Sequence, residues 1–340
     1  MHPINTAILA FGLSGRVFHA PFLETHEGFN LTTIVERTTK KAQHFYPNIR
    51  SVLTVEEVFS DPNIELIVVN TPNYTHFEYA LKAIRSGKHV LIEKPFAITV
   101  KEAQQLFREG VENNVCVLPY HNRRYDSDFS SVKQVIESGK LGKIHHVHFR
   151  FDRFLNNIGP KKGKETLLPG NGFAYDLGSH LLDGLISLFG KPLEWSKTTA
   201  KIRPNTQVDD YIHFRLIYPE GMHVFATVDM LVADPSPAFT LYGANGSYYK
   251  YRADVQENQL DGGMMPDDPL YGLEDKEKEG ILTTIDEQGK KVQEKITSPK
   301  TSYKLLFDCV YDSIRRGRPY PVTPEQIYAQ LNMLENLHML

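Results

Sequence analysis

Short apolar segments alternate with helical stretches up to about residue 120. The apolar segments are residues 4–10, 29–35, 66–69, 89–92 and 115–118. Helices are clearest at residues 76–86 and 100–113. Buried strands that alternate with helices predict a parallel sheet covered on both faces, and the right-handed crossover rule makes that sheet doubly wound.

Beyond residue 122 the apolar and polar positions alternate with a period of two, most clearly in residues 144–152 and 211–218. Further strands are predicted at residues 222–230, 239–242 and 247–252. This pattern predicts a largely antiparallel sheet with helices on one face. The other face carries Tyr, His and Arg side chains and lies against either solvent or a partner subunit.

We therefore expect an α/β protein of two domains, residues 1–121 and 122–340, since 340 residues are long for a single core. Residues 256–300 are polar and predict loops and a hairpin. Helices predicted at residues 303–316 and 324–337 close the chain, where they can pack back on the first domain.

Composition and charge exclude several classes of protein. Hydrophobic residues make up 41% of the chain and charged residues 23%, which is typical of a soluble globular protein. The net charge of −3 gives no electrostatic reason to expect nucleic acid or a membrane surface as a partner. No apolar segment approaches the roughly 20 residues that span a bilayer, and the N-terminal segment is predicted to be a strand and not a signal peptide. Only Cys116 and Cys309 are present, too few for a disulfide framework or a thiolate metal site, so we expect a cytoplasmic protein without a metal.

The first strand leads into Ala10-Phe11-Gly12-Leu13-Ser14-Gly15, an A-x-G-x-x-G variant of the dinucleotide-binding fingerprint. Gly12 lets the backbone approach a pyrophosphate, and Gly15 lets the following helix pack close to the strand. The helix N-terminus offers free N–H groups to the phosphates. The alternative is an ordinary glycine turn, but the flanking strand and helix, with an acidic residue about 20 positions on, favour a dinucleotide site.

That acidic residue is Glu36, directly followed by Arg37. A carboxylate at the end of the second strand accepts hydrogen bonds from both ribose hydroxyls and repels a 2′-phosphate, which favours NAD. Arg37 can instead pair with that phosphate, which favours NADP. Glu36 and Arg37 thus favour different dinucleotides, and we expect NAD over NADP.

The strand at residues 89–92 leads into Glu93-Lys94-Pro95. A lysine at the carboxyl end of a parallel strand lies at the crevice where such sheets bind ligands. Beside an oxidised nicotinamide and partly desolvated, Lys94 would have a lowered pKa and could bind or polarise a substrate hydroxyl. The alternative is a solvated lysine in a turn that Pro95 makes rigid.

In the second domain a glycine-containing loop, residues 170–172, precedes a helix predicted to begin near Tyr175. Asp176, His180 and Asp183 stand at i, i+4 and i+7 and so share one helix face. His180 has an unperturbed pKa near neutrality, which suits proton transfer. A solvent-facing polar stripe is the alternative, and a zinc site is disfavoured because no cysteine lies nearby.

Two further segments carry candidate ligand contacts. One follows the strand at residues 66–69 and comprises Thr71, Pro72, Asn73 and His76. These residues can line the cofactor, and they can equally form an N-cap turn in which Thr75 caps the next helix. The other lies at the junction of the two domains and comprises residues 121–126 (HNRRYD), where a structural salt bridge competes with substrate contact by His121, Asn122 and Arg123.

In their order and spacing, the fingerprint, the Glu-Lys-Pro turn and the Asp-x-x-x-His helix resemble the glucose–fructose oxidoreductase / inositol dehydrogenase (Gfo/Idh/MocA) family over the whole chain. Finer features resemble the branch that contains scyllo-inositol dehydrogenases and related sugar oxidoreductases. They are Phe18-His19-Ala20-Pro21, residues 122–129 (NRRYDSDF), Phe151-Asp152-Arg153-Phe154 and Tyr175-Asp176-Leu177.

The resemblance implies a Rossmann domain, a second α/β domain with an open antiparallel sheet, dimers or tetramers joined through that sheet, and catalysis by Lys94, Asp176 and His180. Three features depart from the family pattern. Ala10 replaces the first glycine of the fingerprint, and Val35 and Glu36 stand where relatives in this branch carry serines, which puts their NADP preference in doubt here. Residues 156–168 replace an expected Arg- and Trp-bearing loop, so the substrate can differ.

These expectations combine into the reversible oxidation of a secondary hydroxyl on a sugar, sugar acid or cyclitol such as inositol. His180 takes the hydroxyl proton, Lys94 polarises the oxygen, and Asp176 orients one of the two. The nicotinamide dinucleotide is expected to contact Ala10, Gly12, Leu13, Ser14, Gly15, Glu36, Arg37, Thr71, Pro72, Asn73, His76, Glu93, Lys94 and Pro95. The substrate is expected to contact His121, Asn122, Arg123, Asp152, Arg153, Tyr175 and Asp183.

Two alternatives stay open. A nucleotide-sensing regulator of the same fold would lack turnover, although it would not need Lys94, Asp176 and His180 together. An enzyme that keeps tightly bound NAD and recycles it within each cycle would contain the same residues.

Overall fold

The computed structural model describes residues 2–158 and 165–336 and divides into two compact units. The first unit comprises the residues up to Asn122 together with Gln256–Tyr271 and Ser302–Ile327. The second comprises Arg123–Val255, Gly272–Thr301 and the residues from Tyr328 on. Two segments from late in the chain therefore belong to the first unit.

Strands and helices are numbered in chain order. The strands are β1 (Ile4–Ile8), β2 (Phe29–Val35), β3 (Arg50–Val52), β4 (Leu66–Val69), β5 (His89–Ile92), β6 (Val117–Pro119), β7 (Ile144–Asp152), β8 (Glu194–Ala200), β9 (Tyr211–Tyr218), β10 (Met222–Asp229), β11 (Phe239–Gly243), β12 (Gly246–Lys250), β13 (Gly280–Ile285) and β14 (Lys291–Ile296). The α-helices are α1 (Ala20–Thr25), α2 (Ala42–Phe45), α3 (Glu56–Phe59), α4 (His76–Arg85), α5 (Val100–Glu112), α6 (Ser127–Glu137), α7 (Ser179–Phe189), α8 (Gln256–Asp261), α9 (Lys304–Arg316) and α10 (Pro324–Glu335).

The sheet of the first unit has six parallel strands in the order β3-β2-β1-β4-β5-β6. The order runs outward from β1 in both directions, so the predicted doubly wound sheet is confirmed. All four residues of β4 are fully buried, as expected of a central strand that helices cover on both faces. The carboxyl ends of β1, β2, β4 and β5 lie at the same edge of this sheet, which brings the turns that follow them together.

Local sequence explains where α5 begins. Thr99 precedes the helix, and its hydroxyl accepts a hydrogen bond from the backbone N–H of Glu102 at 3.2 Å, while the Glu102 carboxylate accepts one from the Thr99 N–H. This reciprocal cap satisfies two backbone donors that the first turn of a helix leaves without partners.

The sheet of the second unit has eight strands in the order β14-β13-β12-β11-β7-β10-β9-β8. Every neighbouring pair is antiparallel except β7 with β10, so the predicted, mostly antiparallel sheet is confirmed. Along β7 the side chains of Val147, Phe149 and Phe151 are buried, and the alternate positions are half-buried or exposed. Gly184 of α7 lies against Phe149, which shows how this helix covers the apolar face.

Several elements differ from the sequence-based expectation. The strands β3 and β8 are not predicted, and β1 and β6 differ from the predicted segments by two residues at an end. Two π-helical turns, Gly15–His19 and Ala174–Gly178, precede α1 and α7. The last residue of the predicted C-terminal helix, Leu337, lies outside the described residues. Within the described part of the chain, no helix has the length and hydrophobicity to cross a membrane.

Candidate functional site

The turn after β1 requires its two glycines for different reasons. A Cβ atom on Gly15 would lie 2.1 Å from the carbonyl oxygen of Ala10, so only glycine lets this helix start so close to the strand. A Cβ atom on Gly12 would meet nothing within 4 Å, so the backbone there faces open space. An exposed backbone at Gly12 and a close contact at Gly15 are the two properties that a dinucleotide-binding turn needs.

Asn70, directly after β4, holds this turn in place. Its side-chain amide donates to the carbonyl oxygen of Ala10 at 2.8 Å and accepts from the Ala10 N–H at 3.0 Å. The pair of hydrogen bonds fixes the backbone at the position where the fingerprint lacks its first glycine. Sequence reasoning missed Asn70, although its place at a strand end in the same sheet is a usable signal.

Glu93, directly after β5, connects three segments. Its Oε1 accepts a hydrogen bond from the Ser14 hydroxyl at 2.6 Å and lies 2.9 Å from Nε2 of His19, and its Oε2 accepts from the Lys94 N–H at 3.0 Å. Burial tends to raise the pKa of Glu93, but the hydrogen bond and charge of His19, with Ser14 and Lys94, lower it to about 2. An ionised, buried carboxylate therefore joins the glycine turn to the backbone of Lys94.

His76, at the start of α4, joins the turns after β4 and β5. Its two ring nitrogens lie 2.8 Å from the carbonyl oxygens of Thr71 and Pro95, and burial lowers its pKa. The peptide bond between Lys94 and Pro95 is cis. The Lys94 side chain is half-buried at this edge of the sheet. The hydroxyl of Thr75, the residue before α4, bonds to Thr71 and Pro72 and does not cap the helix.

Glu36, at the end of β2, is buried, and its carboxylate contacts the chain's own donors. Oε1 accepts from the backbone N–H groups of Lys41 and Ala42, and Oε2 accepts from the Ser51 hydroxyl. Arg37 is exposed. Glu36, which the sequence predicts to bind the ribose, thus accepts hydrogen bonds from residues of its own unit.

In the second unit, Asp176 lies in the π-helical turn Ala174–Gly178, and His180 lies in the first turn of α7. Both side chains are half-buried. Gly172 precedes this segment with φ of +94°, and a Cβ there would meet the Asp209 carboxylate at 2.1 Å. The same carboxylate accepts from the Ala174 N–H at 2.7 Å, so Asp209 fixes the start of the segment. π-helical turns are rare and are often found at functional sites.

Two predicted substrate contacts are engaged in ion pairs. Arg124 donates two hydrogen bonds to Asp183, at 2.9 and 2.7 Å, and the two side chains are 10% and 6% exposed. Arg150 donates two to Asp152, at 2.7 and 3.1 Å. Asp183 is therefore not part of a solvent-facing polar stripe on α7. Its carboxylate is buried, and a buried carboxylate needs a partner such as Arg124.

His180 and Asp183 line a small cavity in the second unit, about 20 Å³ in volume, which has room for about one water molecule. Arg123, Asp126 and Arg252 line it as well, and Arg123 pairs with Asp126 at 3.2 Å. Burial raises the pKa of Asp126, as does the nearby Asp254. Sequence reasoning missed Arg252, which joins Arg123 and Asp126 only through the fold.

Phe151, on β7, is surrounded by three guanidinium groups. The central carbons of Arg252, Arg153 and Arg123 lie 4.2, 5.1 and 5.5 Å from its ring centre. An aromatic face attracts such cations, and the arrangement gathers positive charge beside the cavity.

The remaining predicted contacts are spread over the two units. In the first, Leu13 and Pro72 are exposed, Asn73 is half-buried, and His121 and Asn122 are buried. In the second, Tyr175 is half-buried and Arg153 is exposed. Within residues 2–158 and 165–336 no group of three or more His, Cys, Asp or Glu side chains is arranged to hold a metal ion.

Comparisons with known proteins agree with this arrangement. Residues 4–121 match the family model described as an oxidoreductase family with an NAD-binding Rossmann fold, and residues 129–249 match the GFO/IDH/MocA C-terminal domain. The scyllo-inositol 2-dehydrogenase (NADP(+)) IolW of Bacillus subtilis is 34% identical, over 98% of this chain and 92% of its own length. The uncharacterized oxidoreductase YhhX of Escherichia coli is also 34% identical, over 98% of this chain and 95% of its own length.

Solved structures agree as well. The crystal structure of an oxidoreductase from Bacillus cereus superposes with a TM-score of 0.86 at 34% identity. The match covers 98% of this chain and 95% of that one.

Proposed function

The chain belongs to the Gfo/Idh/MocA oxidoreductase family, and from this premise we propose that it reversibly oxidises a secondary hydroxyl of a sugar, sugar acid or cyclitol. The observation that carries the proposal is the connection made by Glu93. One buried carboxylate holds both the Ser14 side chain of the glycine turn and the backbone of Lys94. The turn that would bind a dinucleotide and the lysine that would act on a substrate are thus fixed to each other.

The residues present fit a nicotinamide dinucleotide. The open backbone at Gly12, and the hydrogen bonds from Asn70 that hold Ala10, provide a rigid surface for the pyrophosphate. A dinucleotide held by these residues would supply an oxidised nicotinamide as the hydride acceptor for the carbon that carries the reacting hydroxyl. His76 keeps the Pro95 turn against the Thr71 turn, which holds Lys94 at the sheet edge.

The catalytic roles follow the family resemblance. His180 accepts the proton of the reacting hydroxyl, and Lys94 donates a hydrogen bond to the same oxygen. Asp176 orients His180 or Lys94. The half-buried setting of all three side chains leaves part of each accessible to a substrate.

The substrate contacts divide into binding and positioning residues. We assign the substrate hydroxyls to Arg123, Arg153 and Tyr175, with His121 and Asn122 as further contacts. Asp152 and Asp183 become positioning residues, because each is already paired with an arginine. The B. subtilis relative is a scyllo-inositol 2-dehydrogenase, which supports cyclitols as the first class to test.

We also propose a homodimer or homotetramer joined through the face of the second sheet that α7 does not cover. His146, His148, His213, Phe225 and Tyr242 lie on this face, and their rings pack against one another. Seven strand spacings of ~4.8 Å, multiplied by a strand length of ~20 Å, give roughly 700 Å². That area is close to the ~800 Å² that each partner of a stable dimer buries.

The proposed function is tested by turnover. Cyclitols, aldoses and sugar acids are offered in turn with NAD and with NADP, and the absorbance of the reduced nicotinamide is followed. We expect at least one polyol to be oxidised. Dinucleotide binding without turnover on any member of the panel would instead indicate a nucleotide-sensing regulator. A dinucleotide that remains bound through dialysis would indicate recycling within each cycle.

A further inference from the structure

The carboxylate of Glu36 accepts hydrogen bonds from the chain itself. Its Oε1 accepts from the N–H groups of Lys41 at 2.6 Å and Ala42 at 3.1 Å, and its Oε2 accepts from the Ser51 hydroxyl at 2.7 Å. The two carboxylate oxygens offer about four acceptor positions, and these three donors occupy three of them. These bonds close the turn between β2 and α2 and connect it to β3.

The burial of Glu36 argues against contact with a ribose. A side chain that binds two hydroxyls of a ligand has to be accessible before the ligand arrives, yet Glu36 is only 6% exposed. Turning it outward would leave the N–H groups of Lys41 and Ala42 without an acceptor. A buried donor without a partner is costly, so the present arrangement is favoured.

The exposed charged side chains beside Glu36 are basic. Arg37, Lys40 and Lys41 follow it within five positions, and all three are exposed. The Lys40 ammonium donates to the Ser51 carbonyl oxygen at 3.3 Å, which holds it beside β3. These three cations exceed the single charge of Glu36, so the exposed surface at this strand end is positive.

The sheet order brings this surface beside the glycine turn. β2 is the neighbour of β1 and parallel to it, so the carboxyl ends of both strands lie at one edge. In such a sheet the ribose of the adenosine half lies at the end of the second strand when the pyrophosphate lies on the turn after the first. Arg37 is the second residue beyond β2.

We propose that the chain selects the dinucleotide that carries a 2′-phosphate on its adenosine ribose, with Arg37 as the residue that determines this specificity and Lys40 as its support. Guanidinium groups bind phosphate through two parallel N–H···O bonds, and an ammonium adds a point charge. The proposal rests on the proposed function, because it requires a dinucleotide at the Gly12 turn. The proposal reverses the expectation of NAD, since the Glu36 carboxylate caps the backbone N–H groups of Lys41 and Ala42 and does not bind the ribose.

The test measures binding and does not depend on turnover. Isothermal titration calorimetry compares 2′,5′-ADP with 5′-AMP, and NADP with NAD, for the wild type, for Arg37→Gln and for the control Arg108→Gln. Arg108 is an exposed arginine on α5 in the same unit, far along the chain from the β2 end. We expect the wild type to bind each 2′-phosphorylated compound at least tenfold more tightly than its partner. Arg37→Gln should reduce that preference by about tenfold to a hundredfold, the range for a lost bond to a charged group, while Arg108→Gln leaves it unchanged.

A second variant separates the cap from a ribose contact. Glu36→Gln should lower the unfolding temperature and leave the ratio of NADP to NAD affinity within about threefold. A tenfold shift of that ratio toward NADP in Glu36→Gln would overturn the proposal, as would equal or tighter binding of NAD by the wild type. Binding of neither dinucleotide would overturn the proposed function itself, which is a different result from binding that prefers NAD.

Discussion

Two acidic residues stand at strand ends in the same parallel sheet, and they connect different parts of it. Glu36 bonds to its own neighbourhood, the turn at Lys41 and Ala42 and the adjacent strand at Ser51. Glu93 bonds to Ser14 and His19, which lie 79 and 74 positions earlier in the chain. One carboxylate completes a local turn, while the other joins the glycine turn to Lys94.

The difference shows that position at a strand end does not by itself define the role of an acid. Both residues are buried, and both follow an apolar strand. Only the donors that reach each carboxylate distinguish them, and those donors are set by the fold. The end of β5 should therefore be the centre of catalysis, and the end of β2 should govern local stability and the choice of dinucleotide.

The largest expected effect tests whether Lys94, just beyond β5, and His180, on α7, carry catalysis. Lys94→Ala and His180→Asn should each lower kcat by about a hundredfold or more, the scale of a lost acid–base group. Dinucleotide affinity should change little, because the glycine turn holds the phosphates. Steady-state kinetics and calorimetry on each variant check this. The double variant should be scarcely slower than either single variant if the two act as one unit. Near wild-type turnover in both single variants would contradict the assigned roles.

A matched pair of substitutions compares the two acids directly. Glu93→Gln should lower kcat/KM by about tenfold to a hundredfold, because a neutral amide weakens the bonds to Ser14, His19 and the Lys94 N–H. Glu36→Gln should lower kcat/KM by less than about threefold at saturating dinucleotide. Both proteins need a check of folding by circular dichroism. Equal losses in the two variants would remove the distinction between them.

Substitutions of the two glycines in the turn after β1 distinguish an effect on stability from an effect on dinucleotide binding. Gly15→Ala should lower the free energy of unfolding by about 1–3 kcal/mol, because the new Cβ would meet the Ala10 carbonyl oxygen. Gly12→Ala should leave stability nearly unchanged, since nothing lies within 4 Å of the new atom. It should weaken dinucleotide binding instead. Chemical denaturation measures the free energy of unfolding, and calorimetry measures dinucleotide affinity. A Gly15→Ala protein as stable as the wild type would count against this account of the turn.

The smallest expected effect concerns acid stability. The pKa of Glu93 falls from its ordinary value of 4.5 to about 2 on folding, so its ionised form favours the folded state above pH 4.5. That contribution is lost as the pH falls from 4.5 toward 2. Between pH 6 and pH 3.5 the wild type should lose about 1 kcal/mol more unfolding free energy than Glu93→Gln does. Parallel pH profiles for the two proteins would mean that Glu93 is not held as an ionised group.

The regular elements were largely predictable from the sequence, because periodicity records burial. The apolar segments of β2, β4 and β5 match their predicted bounds, and the alternation at residues 144–152 and 211–218 matches β7 and β9. The strand β8 was missed because Glu194–Ala200 is a polar edge strand without clear alternation. The two π-helical turns were missed since a period of 3.6 residues does not reveal a local widening of the helix.

The candidate site was only partly predictable. The glycine turn and Glu93-Lys94-Pro95 were found because both lie in recognisable positions at strand ends. The pairing of Asp183 with Arg124 depends on a contact between residues 59 positions apart, which no local pattern encodes. The bond from the Ser51 hydroxyl to Glu36 likewise arises only when β2 and β3 pair, whereas the bonds from Lys41 and Ala42 need only the local turn.

Isotope transfer tests the central claim, that this chain moves a hydride between a polyol and a nicotinamide. The best substrate from the turnover panel is prepared with deuterium on the carbon that carries the reacting hydroxyl, and the reduced dinucleotide is analysed by mass spectrometry. The account predicts that the wild type places one deuterium on the nicotinamide ring and that Lys94→Ala does so about a hundredfold more slowly. A reduced dinucleotide without deuterium, or equal transfer rates in the two proteins, would contradict it.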